Sequence, residues 1–263
     1  MIDIEISKIG IIVIQSLREK DQETGEEVYN AFIKDKTSDI AEFISDFKKV
    51  DNKEEFLDYL RELDATYEQG TILTLHLETH GSEDGIGLSS GEIVSWEEFY
   101  DVIRPLNVKM NNLLVVVMAM CYGAALMSYI EPKERAPFLC FVGSTRVESE
   151  HNIPRGFKVF YSVYTSALDI ATALPLLQTE TQDEEGKSHF WCLKASDIFD
   201  AVMNPDRDPE TFSQMTSDIF VKERMRGRVC TKEEILAEMH DRLIQDAQRY
   251  RDYYTFSYLL NDK

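Results

Sequence analysis

The stretch LLVVVMAMCYGAA, Leu113 to Ala125, decides the fold: an apolar run of strand length closes on a cysteine and small residues follow. Leu113–Met120 is apolar at every position, as a strand buried on both faces must be. Cys121-Tyr122-Gly123-Ala124-Ala125 then predicts a tight turn into a helix. Upstream, Ile9–Ile14 (IGIIVI) and Thr71–Glu78 read as two more buried strands, the second ending in Thr79-His80-Gly81; downstream, Phe138–Val142 reads as a fourth. Helical patterns lie between them. One carries Ile40, Phe43, Ile44 and Phe47; another carries Phe56, Leu57, Leu60 and Leu63. Ser95 with Glu98 forms a capping box that opens a helix through about Arg104, stopped by Pro105. A further helix follows Pro154 with Phe157, Phe160, Tyr161 and Tyr164. Gly85-Ile86-Gly87-Leu88, a Ser-Ser-Gly turn and Glu92-Ile93-Val94 predict a small hairpin, and polar Arg18–Glu27 reads as a loop. Strands alternating with helices give an α/β fold, a mostly parallel central sheet with helices on both faces.

Beyond Pro175 the pattern changes. Gln178–Lys187 (QTETQDEEGK) is an acidic, polar loop, and the remainder is helical, ending in a long helix from a Thr231–Glu234 cap to about Leu260. The expected division is therefore 1–175 and 176–263. With 28 Lys+Arg against 48 Asp+Glu, a net charge of −20, the chain lacks the basic face that nucleic acid requires and is repelled by an anionic membrane. No apolar run is long enough to span a bilayer, and MIDIEISK has no signal-peptide pattern. Cys121, Cys140, Cys192 and Cys230 form neither a disulfide framework nor a zinc spacing, which points to a reducing, cytoplasmic setting.

In parallel α/β sheets ligands bind at the carboxyl ends of the strands. Two of those ends carry reactive groups, His80 and Cys121. A thiolate at a helix N-terminus is favoured by the dipole and the free amides. An imidazole nearby can take the thiol proton and return it to the leaving amine. Gly81 can present its N–H to an oxyanion beside the N–H of Cys121. Read singly, the cysteine is equally a packing residue and His80-Gly81 equally a turn; together, at two strand ends, they assemble a cysteine hydrolase.

This order of features, a strand ending in His-Gly, a GIGL–turn–EIV hairpin, a capped helix, an apolar strand ending in Cys, then a strand and a Phe-Tyr helix, resembles the caspase-like cysteine peptidases (clan CD: caspases, metacaspases and bacterial CHAT-type proteases) over residues 9–170. The caspase pentapeptide is absent, since the chain reads Met118-Ala119-Met120-Cys121-Tyr122-Gly123, which is similar to the divergent prokaryote-like members. The resemblance implies a His80–Cys121 dyad with Gly81 as oxyanion donor. It also places Glu23, Ala119 and roughly His151 where caspases carry their aspartate-selecting residues. A pocket without an assured cation binds a carboxylate poorly, so acidic specificity is not expected. Metacaspases carry an Asp where Ala119 stands; Glu23, Glu148 or Glu150 would replace it and favour basic residues, or these glutamates face water and the preference is neutral or hydrophobic. The Val147–Asn152 segment, Ser149 included, would alternatively pair through its backbone with an extended substrate. The resemblance further implies restraint until a protein partner, nucleotide-sensing protein or proteolysis releases it, and a role in prokaryotic antiviral immunity or programmed death.

His76 and His80 are four apart but lie in a strand pattern, and HLETH matches neither HExxH nor HxxEH, so no metal site is expected. His76 reads as a core residue, and Glu78 as a structural neighbour of His80 that could orient it. His151, His189 and His240 read as surface or packing residues, and Cys140, Cys192 and Cys230 as structural. The aromatic face of Tyr250, Tyr253, Tyr254, Phe256 and Tyr258 reads as packing, with partner docking the minor alternative; the loop at Asp183–Glu185 is solvated or regulatory. No cofactor is expected, and no nucleotide loop is present. The expected activity is a cysteine endopeptidase acting on a protein or peptide, with an activating or inhibitory partner; the alternatives are a catalytically silent scaffold of the same fold and, more weakly, a non-proteolytic hydrolase or transferase.

Overall fold

The computed structural model describes residues 6–37, 41–149 and 151–255. Strand β1 (Lys8–Ser16) is the expected buried run. The segment after it is only partly a loop, because Thr24–Val28 forms helix α1 and Tyr29–Ile33 continues it as a π-helical turn. Strand β2 (Glu42–Lys49) replaces the first predicted helix. Phe43 and Phe47 share a face under both helical and strand periods, so the pattern could not choose. Tertiary structure chose, because β1 would otherwise present an unpaired edge. β2 covers that edge in parallel register from Lys8↔Glu42 to Gln15↔Lys49. Ile40, the remaining member of that pattern, lies outside the described residues.

Helix α2 (Lys53–Thr66) is capped by Asn52, and strand β3 (Thr71–Ser82) runs past its expected end through His80 and Gly81. It does so because the hairpin of β4 (Gly85–Gly87) and β5 (Ile93–Ser95) pairs with it, antiparallel, at His80↔Gly87 and Gly81↔Ile86. Helix α3 (Trp96–Lys109) has the Ser95–Glu98 capping box, but Pro105 does not stop it. An interior proline costs about 3 kcal/mol. Here both Pro105 and Asp101, whose carbonyl loses its partner, are exposed, while Leu106 and Asn107 just beyond are buried. Asn107 bonds the Ala136 carbonyl at 2.8 Å and the Leu114 N–H at 3.1 Å, which secures the last turn.

Strand β6 (Leu114–Ala119) leads to Cys121, and the helix that follows, Gly123–Tyr129, is a short 3₁₀ helix. Strand β7 (Cys140–Ser144), helix α4 (Asn152–Ala167) and helix α5 (Ile170–Glu180) come next, α5 running through Pro175 and into the expected acidic loop. Strand β8 (Phe190–Lys194), not anticipated, pairs antiparallel with β7. The sheet order is β2-β1-β3-β6-β7-β8, parallel except for β8. Ile11, Val13, Val115, Val117, Phe157, Phe160 and Tyr164 are buried in one core cluster between the sheet and α4. The fold is α/β, as expected.

The described residues fall into two compact units, one drawn from 1–130 and 136–195 and the other from 131–135 and 196–263. The division expected at 175 thus lies at Ala195, because β8 belongs to the sheet. The second unit holds helix α6 (Ala195–Val202) from Ser196 onward, α7 (Pro209–Met225), α8 (Lys232–Tyr250) and α9 (Asp252–Thr255). The Thr231–Glu234 capping box opens α8 as predicted, but the helix stops at Tyr250. Tyr254 is buried and stacks on Phe199 at 4.5 Å, a packing role; Phe256 and Tyr258 lie outside the described residues. Among the described residues no helix is long and apolar enough to cross a membrane.

Candidate active site

The alternation of β3 builds the site. Leu73, Leu75 and Leu77 take one face, and Thr74, His76, Glu78 and His80 take the other. On that second face the polar side chains are paired, with His76 Nδ1 left without a hydrogen-bond partner among the described residues. Thr74 pairs with the Tyr164 hydroxyl at 2.8 Å, His76 Nε2 with Glu78 Oε2 at 3.1 Å, and the Thr24 hydroxyl donates to Glu78 Oε1 at 2.5 Å. The ladder ends at His80, whose Nε2 lies 2.8 Å from Asp21 Oδ2. His76 is fully buried, edge-on to Phe157 and Tyr161, as a core histidine should be.

Glu78 is therefore a tether. Through Thr24 it holds the segment that follows β1 against the strand that carries His80. Gly25 permits the approach, since a Cβ there would stand 2.8 Å from Gln15 Oε1 and 3.0 Å from Glu78 Cβ. Gln15 Oε1 accepts the Glu26 N–H at 3.0 Å, a second anchor on the same turn.

Cys121 sits at the end of β6, half-buried. Tyr122 takes a left-handed conformation (φ 54°), rare for a residue with a side chain, and its N–H bonds the Arg146 carbonyl at 3.0 Å. The helix beyond is too short and begins too late to supply the dipole that the sequence suggested. Instead the Glu148 N–H, 3.4 Å away, donates to Cys121 Sγ. The N–H of Cys121 itself carries no hydrogen bond among the described residues. Gly81 packs directly on this turn: a Cβ would stand 2.0 Å from the Cys121 carbonyl oxygen.

His80 and Cys121 face one cavity of about 380 Å³ at the carboxyl ends of β1, β3 and β6, walled on the far side by the loop before α4. No hydrogen bond joins the two side chains. Ala119 lines the cavity, as does Glu148. Burial pushes the Glu148 carboxyl above its ordinary range, opposed by the Ser144 hydroxyl at 2.5 Å and the charges of His189 and Arg146. His151, expected to be peripheral, lines the cavity too, and Lys20 brings a cation that the sequence reading had not placed there.

Two of the expected substrate-binding residues, Glu23 and Ser149, do not line the cavity. Glu23 is not in the cavity; its carboxylate pairs with Lys49 at 2.7 Å. Ser149 is exposed, and its carbonyl accepts the Asn152 N–H at 3.0 Å at the start of α4, so it is engaged in a turn and not free to pair with substrate. Glu150 lies outside the described residues. Asp21 is the residue that sequence reasoning missed. Its signal in the sequence is positional, since β1 is parallel to β3 and β6 and ends at the same edge of the sheet.

A depression of about 540 Å³ elsewhere, lined by Lys48, Glu54, Asp58 and Glu62 among others, carries no cysteine, serine, threonine or histidine. Among the described residues no group of three or more His, Cys, Asp or Glu is placed to hold a metal ion.

Comparison with known proteins gives a structural likeness. The solved structures similar to this chain include the Drosophila initiator caspase Dronc, at 12% identity and a TM-score of 0.46, covering 73% of this chain and 80% of that one. No family model matches the chain, and no curated protein matches it.

Proposed function

We propose that the chain is a cysteine endopeptidase in which Cys121 attacks the scissile carbonyl, His80 moves the proton, and the N–H groups of Gly81 and Cys121 receive the oxyanion. The observation that carries this reading is the shared cavity: a thiol and an imidazole on two strand ends face one space at the edge of the sheet where α/β proteins bind ligands. The Cys121 N–H, free of partners among the described residues, is available to an oxyanion. Ala119 and Glu148 line the cavity together with Lys20 and His151, and the residue accepted before the cut is taken to be neutral or basic on the family resemblance. Activity released by a protein partner or another signal, in a prokaryotic defence or death response in the cytoplasm, completes the proposal and rests on the family resemblance.

A second reading is a scaffold of the same fold without activity. One feature favours it: the thiol takes its hydrogen bond from Glu148 N–H, and none links it to His80. Cleavage of a diverse peptide library by wild type and Cys121→Ala separates the two. Cuts present in wild type and absent from the variant support the protease. Cuts that survive the substitution overturn the mechanism. If neither protein cuts, an irreversible thiol probe decides: selective labelling of Cys121 supports a latent enzyme, and no labelling above the other cysteines supports the scaffold.

A further inference from the structure

The segment between β1 and α1 has no evident chemistry in the sequence, yet it delivers one carboxylate to the catalytic edge. Asp21 N–H bonds the Arg18 carbonyl at 2.8 Å, and Asp21 Oδ2 accepts the Arg18 N–H at 2.9 Å, so the side chain is fixed by its own turn. The same oxygen meets His80 Nε2 at 2.8 Å. Asp21 is 19% exposed at its side chain and His80 is 40% exposed, so the pair stands at the cavity wall and not free in water. Downstream, Thr24 is tied to Glu78 on the strand that bears His80. The carboxylate is thus positioned from both directions along the chain before any substrate arrives.

We propose that Asp21 is a positioning residue for His80: its carboxylate accepts the Nε2 proton, so the neutral ring presents the Nδ1 lone pair to the cavity and to Cys121. This rests on reading Cys121 and His80 as a working dyad. Burial pushes the Asp21 carboxyl up, but the hydrogen bonds from His80 and the Arg18 N–H outweigh it and hold the group below its ordinary value. Asp21 is therefore an anion at neutral pH and can only accept, which assigns the shared proton to Nε2. The dyad step balances simply. The Cys121 S–H proton moves to Nδ1, leaving a thiolate and an imidazolium whose Nε2–H still points at Asp21; no proton passes to the carboxylate. Its negative charge favours the imidazolium and, through it, the thiolate. The other titratable groups facing this pair are Lys20 beside Asp21, Glu78 earlier on β3, and Glu148 and His151 across the cavity.

Two readouts on the full chain test this, and they separate its failure from that of the dyad. The first is the ¹⁵N NMR signature of the His80 ring, recorded above its titration, which does not require activity. Wild type is expected to show the Nε2–H tautomer, and Asp21→Ala a mixture of both. A wild-type ring protonated on Nδ1, or a ring indifferent to the substitution, overturns the positioning role. The second is the pH dependence of Cys121 alkylation by iodoacetamide, in which the S–C bond forms, iodide leaves and the imidazolium proton passes to solvent. Asp21→Asn, which keeps the shape and removes the charge that favours the imidazolium–thiolate form, is expected to slow the reaction about tenfold near neutral pH, the size of a single close charge. Superimposable profiles overturn the proposal when Cys121 is reactive. If Cys121 reacts no faster than an ordinary thiol in wild type, the dyad reading has failed, and the tautomer result alone judges Asp21.

Discussion

The backbone of Gly81 lies against the carbonyl of Cys121 so closely that any side chain at position 81 would overlap it, with Cβ 2.0 Å from that oxygen. This contact joins the two strand ends of the site, and it explains glycine there on steric grounds alone. The obstructing atom belongs to backbone, so relief requires the Cys121 turn to move. Gly81→Ala is expected to cost about 3 kcal/mol or more, at the upper end of overpacked substitutions. In thermal unfolding that is a fall in Tm of roughly 10 °C, accompanied by loss of Cys121 labelling. An alanine variant with wild-type Tm and reactivity would contradict the packing described.

Thr24 and Glu78 are both buried and are joined by a 2.5 Å hydrogen bond. Thr24→Val keeps the shape and leaves Glu78 Oε1 without a donor. The expected loss is about 2 kcal/mol, measured by urea unfolding, because an orphaned acceptor bears its full desolvation cost. Thr24→Ser should restore most of it. Equal stability of the valine and serine variants would remove Glu78 as the anchor of the Asp21 segment.

Glu148 provides a pH test. Burial raises its folded-state value above the unfolded one, so the protonated form suits the folded protein better. Stability from this group is fully present below the unfolded value and is lost as pH rises through the folded one. Glu148→Gln, neutral at every pH and still able to accept from Ser144, should therefore unfold a few degrees above wild type at neutral pH. The gap should close below about pH 4, where the wild-type carboxyl is itself protonated. A gap independent of pH would show that packing, not charge, is responsible.

Asp183 works with the opposite sign. Backbone N–H donation from Lys187 and the hydrogen bonds of His189 and Arg146 hold its carboxyl well below the usual range. Its contribution is present at neutral pH and is lost on acidification through the folded value. Arg146 also offers its carbonyl to Tyr122, the residue after the nucleophile. Asp183→Asn should consequently quicken hydrogen exchange at the Tyr122 amide several-fold, more at neutral pH than in acid. Unchanged exchange there would separate the 181–189 loop from the cysteine turn.

The comparison of sequence with structure divides by physical type. Runs such as Ile9–Ile14 and Leu113–Met120 state their own conformation, because a segment apolar at every position has only a buried strand or buried helix open to it, and length chose the strand. Capping boxes at Ser95 and Thr231 were equally local and held. Phe43 with Phe47 is undecidable locally, and the helix continues through Pro105 because Asn107 secures its last turn on Ala136 and Leu114, outside the helix.

By itself the sequence determined an α/β sheet, the strand ends that carry His80-Gly81 and Cys121, and an acidic chain. Those follow from periodicity and residue type, which are local quantities. Only the tertiary structure decided that Asp21 meets His80, that Glu148 meets the thiol with its backbone, and that Glu23 turns instead to Lys49. Each of those pairings joins segments separated by 26 to 59 positions. A glutamate or aspartate in a chain of net charge −20 gives no local sign of which cation or imidazole it will find. Strand register and loop closure make that choice, and they exist only once the sheet has formed.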